Sequence, residues 1–163
     1  MTAASAKTAA VLTISDSSYL GKREDVSGPA IVRELEAAKF KVVHASVLPD
    51  EKDAIAARII ECSELVRLVV TTGGTGIAKR DVTPEATLGV IERRVAGIEE
   101  RMRQEGVKKT PFAALSRGVC GVRGKTLLLN LPGNPRAAVE SLQAVIEILP
   151  HALELLDGKT EHE

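Results

Sequence analysis

The sequence predicts an α/β fold in which a three-layer, mainly parallel central sheet carries helices on both faces. Short apolar segments of strand length alternate along the chain with longer segments whose apolar residues recur at helical spacing. The strand-like segments are continuously apolar, which is typical of parallel strands that are buried on both faces. The length of 163 residues and the lack of repeats or a linker predict one domain over 1–163, with flexible ends at 1–7 and 159–163.

Three of the predicted strands lie in the first half of the chain, at 9–15, 42–48 and 65–72. Each is a largely apolar run that ends at a polar or proline-containing segment. A helix opens at Ser27-Gly28-Pro29, because proline suits the first helical position, and another follows Pro49-Asp50. The inward positions recur at helical spacing: Ile31, Val32 and Leu35 in the first helix, and Ile55, Ile59, Ile60 and Cys62 in the second.

After the third strand, a helix is predicted to begin at Pro84. Thr83 is expected to cap it, since a threonine hydroxyl accepts a hydrogen bond from the free amides of a helix start. Glu85 in the first turn favours the positive end of the helix dipole. A charged helix is predicted at 96–107, and a turn at 121–124 because of its glycines.

The last strand is predicted at 126–131, and a long apolar helix follows it. Asn134 is expected to cap this helix, with Pro135 at its first position. Pro150 is expected to break or kink the helix, because proline lacks an amide donor and clashes with the preceding turn.

Polar loops follow four of the predicted strands, after Ser15, Leu48, Thr72 and Leu131. In open α/β sheets, ligands bind beyond the carboxyl ends of the strands. These loops are therefore expected to gather at one edge of the sheet and to form a single pocket.

The composition argues against nucleic-acid and membrane partners. Lys plus Arg (22) equals Asp plus Glu (22), and one Tyr, two Phe and no Trp offer no base-stacking platform. The first eight residues lack a signal-peptide core and no stretch reaches the length of a membrane span, so a cytoplasmic protein is expected. Cys62 and Cys120 fit no metal-ligand spacing and are expected to be buried, reduced thiols.

A glycine-rich turn, Thr72-Gly73-Gly74-Thr75-Gly76, follows the third strand. Glycines let a ligand approach the backbone amides, and successive amides with threonine hydroxyls form an anion cradle. Arg80 and Asp81 add a cation and a carboxylate at its rim. The turn lacks the ending of a Walker A loop and the spacing of the dinucleotide fingerprint. It predicts a phosphate site of another kind, with a simple strand-to-helix turn as the alternative.

Acids that follow the strands are candidate metal ligands. Asp81 and Asp50 are placed to hold Mg²⁺, which takes one or two carboxylates with phosphate oxygens and water, and Asp16 is a third such acid. The alternatives are a surface carboxylate for Asp81 and a helix N-cap for Asp50. Ser116 and Arg117 lie on a turn-rich segment, where the planar guanidinium matches phosphate, although a solvated surface arginine is the alternative.

Several motifs together resemble one family. They are Val47-Leu48-Pro49-Asp50-Glu51, Thr72-Gly73-Gly74-Thr75-Gly76, Arg80-Asp81-Val82-Thr83-Pro84-Glu85-Ala86-Thr87, Thr110-Pro111-Phe112-Ala113, Leu115-Ser116-Arg117, Gly121-Val122-Arg123-Gly124 and Leu131-Pro132-Gly133-Asn134-Pro135. In this order and spacing they resemble the molybdopterin adenylyltransferases, that is, MogA-type enzymes and the plant and animal G domains such as that of gephyrin. The resemblance covers nearly the whole chain, and the MoaB branch shares the motifs.

The resemblance implies a molybdopterin-binding-domain-like fold, a trimer, and a reaction in which Mg²⁺-ATP and molybdopterin give adenylylated molybdopterin and pyrophosphate. It implies that Asp81 and Asp50 are the catalytic and metal-binding acids. It assigns nucleotide and phosphate binding to Thr72, Gly73, Gly74, Thr75, Gly76, Arg80, Pro132, Gly133 and Asn134. It assigns molybdopterin binding to Ser15, Asp16, Ser116 and Arg117. Hand-over of the product to a molybdate-inserting protein is a further expectation.

Two other functions are open to this sequence. A MoaB-like pterin-binding or scaffolding protein would keep the pocket with little catalysis. A flavodoxin-like FMN module would use the same sheet, but its phosphate loop would follow the first strand rather than the third. The segment 17–25 departs from the family pattern, with Tyr19 and Lys22-Arg23 where relatives carry small residues or glycines.

Overall fold

The computed structural model describes residues 7–159, which form a six-stranded sheet with helices on both faces. The strands are β1 (Thr8–Ile14), β2 (Lys41–Leu48), β3 (Leu68–Thr72), β4 (Arg93–Arg94), β5 (Cys120–Arg123) and β6 (Thr126–Leu131). They lie in the order β2-β1-β3-β6-β5-β4. β1 pairs parallel with β2 and β3, and β3 pairs parallel with β6, whereas β5 is antiparallel to β6 and β4. The predicted mainly parallel α/β sheet is confirmed.

Seven α-helices occur in the described residues. They are α1 (Asp16–Tyr19), α2 (Ser27–Ala37), α3 (Lys52–Ser63), α4 (Thr83–Leu88), α5 (Ala96–Val107), α6 (Pro135–Val145) and α7 (Leu149–Leu156), and a 3₁₀ helix spans Pro111–Leu115. None of the helices in this part of the chain is long and apolar enough to cross a membrane. The ends predicted to be flexible lie outside the described residues, apart from Lys7 and Lys159.

The sheet separates two hydrophobic cores, which explains the continuous apolar strands. Neighbouring strand residues point to opposite faces, so Val70 packs in the core under α2, α5, α6 and α7, while Val69 packs in the core under α3 and α4. Both side chains are fully buried. The same alternation holds for Val11 and Leu12 in β1.

The predicted turn at 121–124 is wrong, because Cys120–Arg123 forms β5. Gly121 is needed there for a close approach rather than for a turn: a Cβ atom on it would lie 2.6 Å from the Ile91 side chain and 2.9 Å from the carbonyl oxygen of Arg93. The turn itself follows at Gly124, whose φ is +59°. The short strand β4 had no apolar pattern to reveal it, since both of its residues are exposed arginines.

The ends of two other elements also differ from expectation. The third strand begins at Leu68 rather than at 65, because the amide of Leu65 still bonds to the carbonyl of Cys62 at the end of α3. The long C-terminal helix is two helices. Asn134 caps α6 as predicted, accepting from the amide of Ala137 at 3.1 Å, and Pro150 lies in the first turn of α7, after the break.

Candidate active site

Five segments meet at the edge formed by the carboxyl ends of the parallel strands. Four are the loops 15–26, 49–51, 73–82 and 132–134, which follow β1, β2, β3 and β6. The fifth is 116–119, because β5 runs the opposite way and begins at this edge. The structure thus brings together the four polar loops that the sequence predicts at one edge of the sheet, and it adds the segment 116–119 to them.

The glycine turn after β3 requires glycine at two successive positions. Gly73 has φ +106° and Gly74 has φ +68°, which is left-handed backbone that side chains disfavour. A Cβ atom on Gly73 would lie 2.2 Å from the carbonyl oxygen of Ile14. A Cβ atom on Gly74 would lie 2.3 Å from Thr83 Oγ1 and 3.1 Å from Asp50 Oδ1. The turn is therefore pressed against both β1 and Asp50.

Thr83 supports this turn, and its prediction as a helix cap is wrong. Helix α4 begins at Thr83 itself, with Val82 in the N-cap position and no side chain capping the helix. The Thr83 hydroxyl donates to the carbonyl of Gly73 at 3.0 Å, and its amide donates to the carbonyl of Gly74 at 3.1 Å. The turn places the carbonyls of Gly73 and Gly74 next to Thr83, and buried carbonyls need hydrogen-bond donors.

The backbone amides of the turn are divided between structure and potential ligands. The amide of Gly73 donates to the carbonyl of Leu131 at 3.0 Å, so it is not available to a phosphate. The amides of 74–76 have no acceptor among the described residues. Thr72 contributes by tying the turn to the loop after β6, since its hydroxyl donates to the carbonyl of Pro132 at 2.7 Å. Three successive free amides form the kind of concavity that binds anions.

A cavity of about 480 Å³, which we call the carboxylate cleft, opens between these loops. It contains both acids that the sequence predicts to be catalytic, Asp50 and Asp81, beside Gly73 and Gly74. Its lining residues are Thr13, Ile14, Ser15, Ser18, Arg23, Glu24, Asp25, Val26, Ser27, Asp50, Thr72, Gly73, Gly74, Asp81, Gly133, Asn134 and Pro135.

Each of the two carboxylates uses one oxygen in a hydrogen bond from a backbone amide. Asp50 Oδ2 accepts from the amide of Asp16 at 2.9 Å, and Asp81 Oδ2 accepts from the amide of Ala78 at 3.0 Å. The Oδ1 atom of each has no hydrogen-bond partner within 7–159. Asp50 is not the N-cap of α3, since Glu51 occupies that position. The cleft therefore presents two carboxylate oxygens that are free to bind a ligand.

The environment of Asp50 favours a cation beside it. Its pKa is raised, chiefly by burial and further by the negative charges of Asp16 and Asp81, which together outweigh the hydrogen bond from the Asp16 amide. A cation between Asp50 and Asp81 would relieve this repulsion. No cluster of three or more acidic, histidine or cysteine ligands occurs among the described residues. Two carboxylates suit Mg²⁺, which completes its shell with phosphate oxygens and water.

Asp16 and Arg80 form an ion pair beside Asp50, and neither of them lines the carboxylate cleft. The Nε and Nη2 atoms of Arg80 donate to the Asp16 carboxylate at 2.6 Å and 3.0 Å, and this pairing lowers the pKa of Asp16. Asp16 Oδ1 also accepts from the amide of Asp50 at 2.9 Å. Asp16 therefore joins the loops after β1, β2 and β3, whereas the resemblance assigns it to molybdopterin and assigns Arg80 to phosphate.

A second cavity of about 600 Å³, which we call the apolar cavity, lies on the other side of the loop 132–134. Met102, Phe112 and Leu115 form part of its wall, and Ser116 lies in it. Of the predicted phosphate-binding residues, Thr75, Gly76 and Pro132 line this cavity, and Gly133 and Asn134 line both cavities. The predicted molybdopterin residues are thus divided, because Ser15 lines the carboxylate cleft.

Arg117 lines neither cavity. Its guanidinium donates to the carbonyls of Gly76 and Asp81, both at 2.8 Å, and forms an ion pair with Glu85. Its role in binding molybdopterin remains a prediction, and its observed partners lie in the loop that carries Asp81 and in the first turn of α4, which follows that loop.

Glu99 lies in the wall of the apolar cavity and is only 1% exposed. Both of its oxygens accept from Arg94 at 2.8 Å, and Oε2 also accepts from the amide of Cys120 at 3.1 Å. Burial acts to raise the pKa of Glu99, but the hydrogen bonds from Arg94, Cys120 and Arg103 outweigh it, so the pKa lies below its ordinary value of 4.5. The carboxylate therefore stabilises the folded chain in its charged form.

We expect Glu99→Gln to lower the free energy of unfolding by about 2–3 kcal/mol at pH 7, because it weakens several charged hydrogen bonds at a buried acceptor. The stabilisation by the charged Glu99 carboxylate is fully present above pH 4.5 and is lost as the pH falls through the lower pKa of the folded state. Urea unfolding should thus show that the difference in the free energy of unfolding between the wild-type protein and Glu99→Gln narrows below pH 4.5. Glu105→Gln, on the same helix but in an exposed pair with Lys108, should change the free energy of unfolding far less than Glu99→Gln does, because solvent screens an exposed ion pair. Equal losses in both variants would contradict this role.

Three residues shape the site but were not identified from the sequence. Asp25 accepts from the Thr13 hydroxyl at 2.8 Å and from the amide of Gly28 at 3.0 Å, which holds the segment 17–25 against β1. Its position three residues before Gly28 is a capping signal. Arg23 brings a cation to the carboxylate cleft. No local pattern distinguishes Arg23 from a surface arginine.

Asn130 in β6 is the third of these residues, and it joins β3 and α4 to the segment before β5. It is 1% exposed, its oxygen accepts from the amide of Val119 at 3.1 Å, and its nitrogen donates to the hydroxyls of Thr71 and Thr87, both at 3.0 Å. A polar side chain in a continuous apolar strand was the signal that could have identified it, because buried polar groups need partners.

Comparison with known proteins gives consistent matches. Residues 10–151 match the family model described as "Probable molybdopterin binding domain". The molybdopterin adenylyltransferase of Helicobacter pylori (strain J99) is 42% identical over 152 residues, which are 91% of this chain and 86% of that protein. The molybdenum cofactor synthesis protein cinnamon of Drosophila melanogaster is 45% identical over 151 residues, but the chain spans only 25% of its length.

A solved structure agrees with these sequence matches. The molybdopterin biosynthesis enzyme MoaB from Thermus thermophilus superposes with a TM-score of 0.88 and 47% identity, over 93% of this chain and 97% of that one. Both the sequence and the fold of this chain therefore match proteins of molybdopterin biosynthesis.

Proposed function

We propose that the protein is a molybdopterin adenylyltransferase, because the chain belongs to the family of probable molybdopterin binding domains and takes part in molybdenum cofactor biosynthesis. In this reaction a terminal phosphate oxygen of molybdopterin bonds to the α-phosphorus of ATP. The bond between the α- and β-phosphates breaks, and pyrophosphate leaves with the bonding electrons. The observation that carries the proposal is the pair of free oxygens of Asp50 and Asp81 beside the glycine turn.

Most of the catalysis in such a reaction comes from positioning and charge neutralisation, because two polyanions must meet. The free amide of Gly74 would bind a nucleotide phosphate oxygen in the carboxylate cleft, and those of Thr75 and Gly76 would bind phosphate oxygens on the side of the apolar cavity. Arg23 at the cleft would offset further negative charge. Asp50 and Asp81 would hold Mg²⁺, which supplies charge neutralisation on the phosphates.

The two cavities suggest where the substrates lie. The polyphosphate of ATP would occupy the carboxylate cleft, and the pterin would enter the apolar cavity, where Ser116 lies. The loop at Gly133 and Asn134 borders both cavities, so the reacting phosphates would meet beside it. This arrangement keeps the predicted phosphate-binding role of Asn134, whereas Thr72 and Pro132 would support the same region through the bond from the Thr72 hydroxyl to the Pro132 carbonyl.

The direct test is incubation with molybdopterin, Mg²⁺ and ATP labelled at the α-phosphate. We expect the label to move to the pterin, with one pyrophosphate released for each transfer, and we expect removal of Mg²⁺ to stop the reaction. Tight binding of molybdopterin without transfer of label would reject the enzyme and favour the pterin-binding or scaffolding alternative.

The oligomeric state and the cellular partners also belong to this proposal. We expect a homotrimer in the cytoplasm that passes its product to a molybdate-inserting protein. Light scattering of the purified protein would test the trimer, since a monomer or dimer at working concentration would contradict it.

A further inference from the structure

Arg117 makes an unusual number of contacts to the segment that carries Asp81. Its Nε donates to the carbonyl of Gly76 and its Nη2 donates to the carbonyl of Asp81, each at 2.8 Å. Its Nη1 pairs with the carboxylate of Glu85, and its own amide donates to the carbonyl of Thr75 at 2.8 Å. One residue thus holds the segment 75–85 at its start, its middle and its end.

Apart from Arg117, the side-chain anchor of the loop between these points is Arg80, which donates to the Asp16 carboxylate at 2.6 Å and 3.0 Å and is itself 60% exposed. Asp81 and Ala78 bond to each other, with the amide of Asp81 donating at 2.9 Å and the amide of Ala78 donating to Asp81 Oδ2 at 3.0 Å. Ile77 is 70% exposed and Lys79 is also exposed. These local bonds close the turn, but they do not fix its place relative to the cleft. Arg80 ties the turn to the loop after β1, and the bonds from Arg117 tie it to the segment before β5.

The donors of Arg117 are almost fully used by these contacts. A guanidinium has five N–H groups in a fixed fork. One goes to Gly76, one to the Asp81 carbonyl, and one from each Nη atom to Glu85, the Nη2 contact being 3.5 Å long. One N–H remains, whereas bidentate recognition of a phosphate needs two parallel N–H groups.

We propose that Arg117 is a positioning residue, which sets the place of the Asp81 carboxylate by tying both ends of its loop, and that it is not a ligand for the phosphate of molybdopterin. Glu85 is the partner that holds the guanidinium in this orientation. The kinetic part of the inference rests on the proposed function, whereas the structural part does not.

Two variants separate positioning from ligand binding. Arg117→Lys keeps the positive charge but replaces the fork by a single nitrogen, so the three anchor points cannot all be held. We expect kcat to fall by about 10- to 100-fold, the usual cost of misplacing a catalytic group, and KM for molybdopterin to change by about twofold or less. Glu85→Gln should lower kcat in the same direction by a smaller factor. If Arg117 bound the phosphate, Glu85→Gln would free the guanidinium and lower KM instead, which would overturn the proposal.

Hydrogen exchange gives a readout that does not depend on activity. The hydrogen-bonded amides of this segment, those of Ala78, Asp81 and Thr83, should exchange about tenfold faster or more in Arg117→Lys, because the segment opens more readily once it loses these anchors. Glu85→Gln should also speed this exchange, and it covers the case in which Arg117→Lys fails to fold. Arg123→Lys is the matched control, since Arg123 donates to the carbonyl of Val90 at 2.9 Å, at the other end of β5.

The outcomes are distinguishable from failure of the proposed function. Faster exchange in the segment 76–83 in the Arg117 and Glu85 variants, but not in the control, supports positioning even if the wild-type protein transfers no AMP. Unchanged exchange in a folded Arg117→Lys variant, or a rise in KM with kcat unaltered, overturns it.

Discussion

Replacing Asp81 by asparagine is expected to leave the fold intact and to lower the turnover of AMP transfer by about 10²-fold or more, or ~2.7 kcal/mol in activation free energy. Asp81 uses Oδ2 to accept from Ala78, a bond that the asparagine oxygen can keep. The free Oδ1 would then become an amide nitrogen, which cannot bind a cation. Substrate affinity should change less than turnover, because the free amides of 74–76, which we propose to bind phosphate, remain.

This result is measured by label transfer at saturating Mg²⁺-ATP, with thermal unfolding as the check on folding. Removing Asp81 also removes a like charge near Asp50, so we expect no loss of thermal stability. Asp53→Asn is the matched control, since this exposed acid lies in the first turn of α3, outside the carboxylate cleft. Full activity of Asp81→Asn would reject its assignment as a catalytic acid.

Gly74→Ala is expected to cost about 3 kcal/mol of stability or more and to abolish AMP transfer in the molecules that still fold. The left-handed backbone at φ +68° disfavours alanine by about 1–2 kcal/mol. The added Cβ atom would in addition lie 2.3 Å from Thr83 Oγ1, which requires the buried side chain to shift and costs a further ~1–3 kcal/mol. It would also lie 3.1 Å from Asp50 Oδ1, where it obstructs a proposed metal ligand.

Gly124→Ala provides a control that isolates the steric part of this effect. Gly124 has a similar φ of +59°, but nothing lies within 4 Å of its Cβ position. Urea unfolding should therefore show a loss of about 1–2 kcal/mol for Gly124→Ala, with activity retained, and a clearly larger loss for Gly74→Ala. Similar losses and similar activity in the two variants would mean that the contacts of Gly74 with Thr83 and Asp50 do not matter.

Local sequence signals predicted some polar roles correctly and others wrongly, for one physical reason. Asn134 was identified as a helix cap because its partner, Ala137, lies three residues away. Thr83 carries the same signal, but the carbonyl of Gly73, ten residues before it, takes its hydroxyl. A residue type and its spacing predict a bond only when no partner from a distant part of the chain competes for it.

Glycine patterns show the same limit. At Gly73 and Gly74 the sequence correctly predicted a tight turn, and both have positive φ. At Gly121 the same residue type serves the close approach of β4, which is itself not visible from apolar spacing. Glycine marks a position where a side chain is excluded, but the sequence does not say whether backbone conformation or a neighbour excludes it.

The amino-acid sequence by itself determined where the parallel strands lie along the chain, that both sheet faces are buried, and which loops meet at one edge. These features depend on the spacing of apolar residues along short stretches. Only the tertiary structure decided which polar groups remain free for a ligand. The bonds between Asp16 and Asp50 span 34 residues, and the bond from Arg117 to Gly76 spans 41. Such partners are chosen by the packing of the whole sheet, and they leave Asp50 and Asp81 each with one free oxygen while they occupy the guanidinium of Arg117.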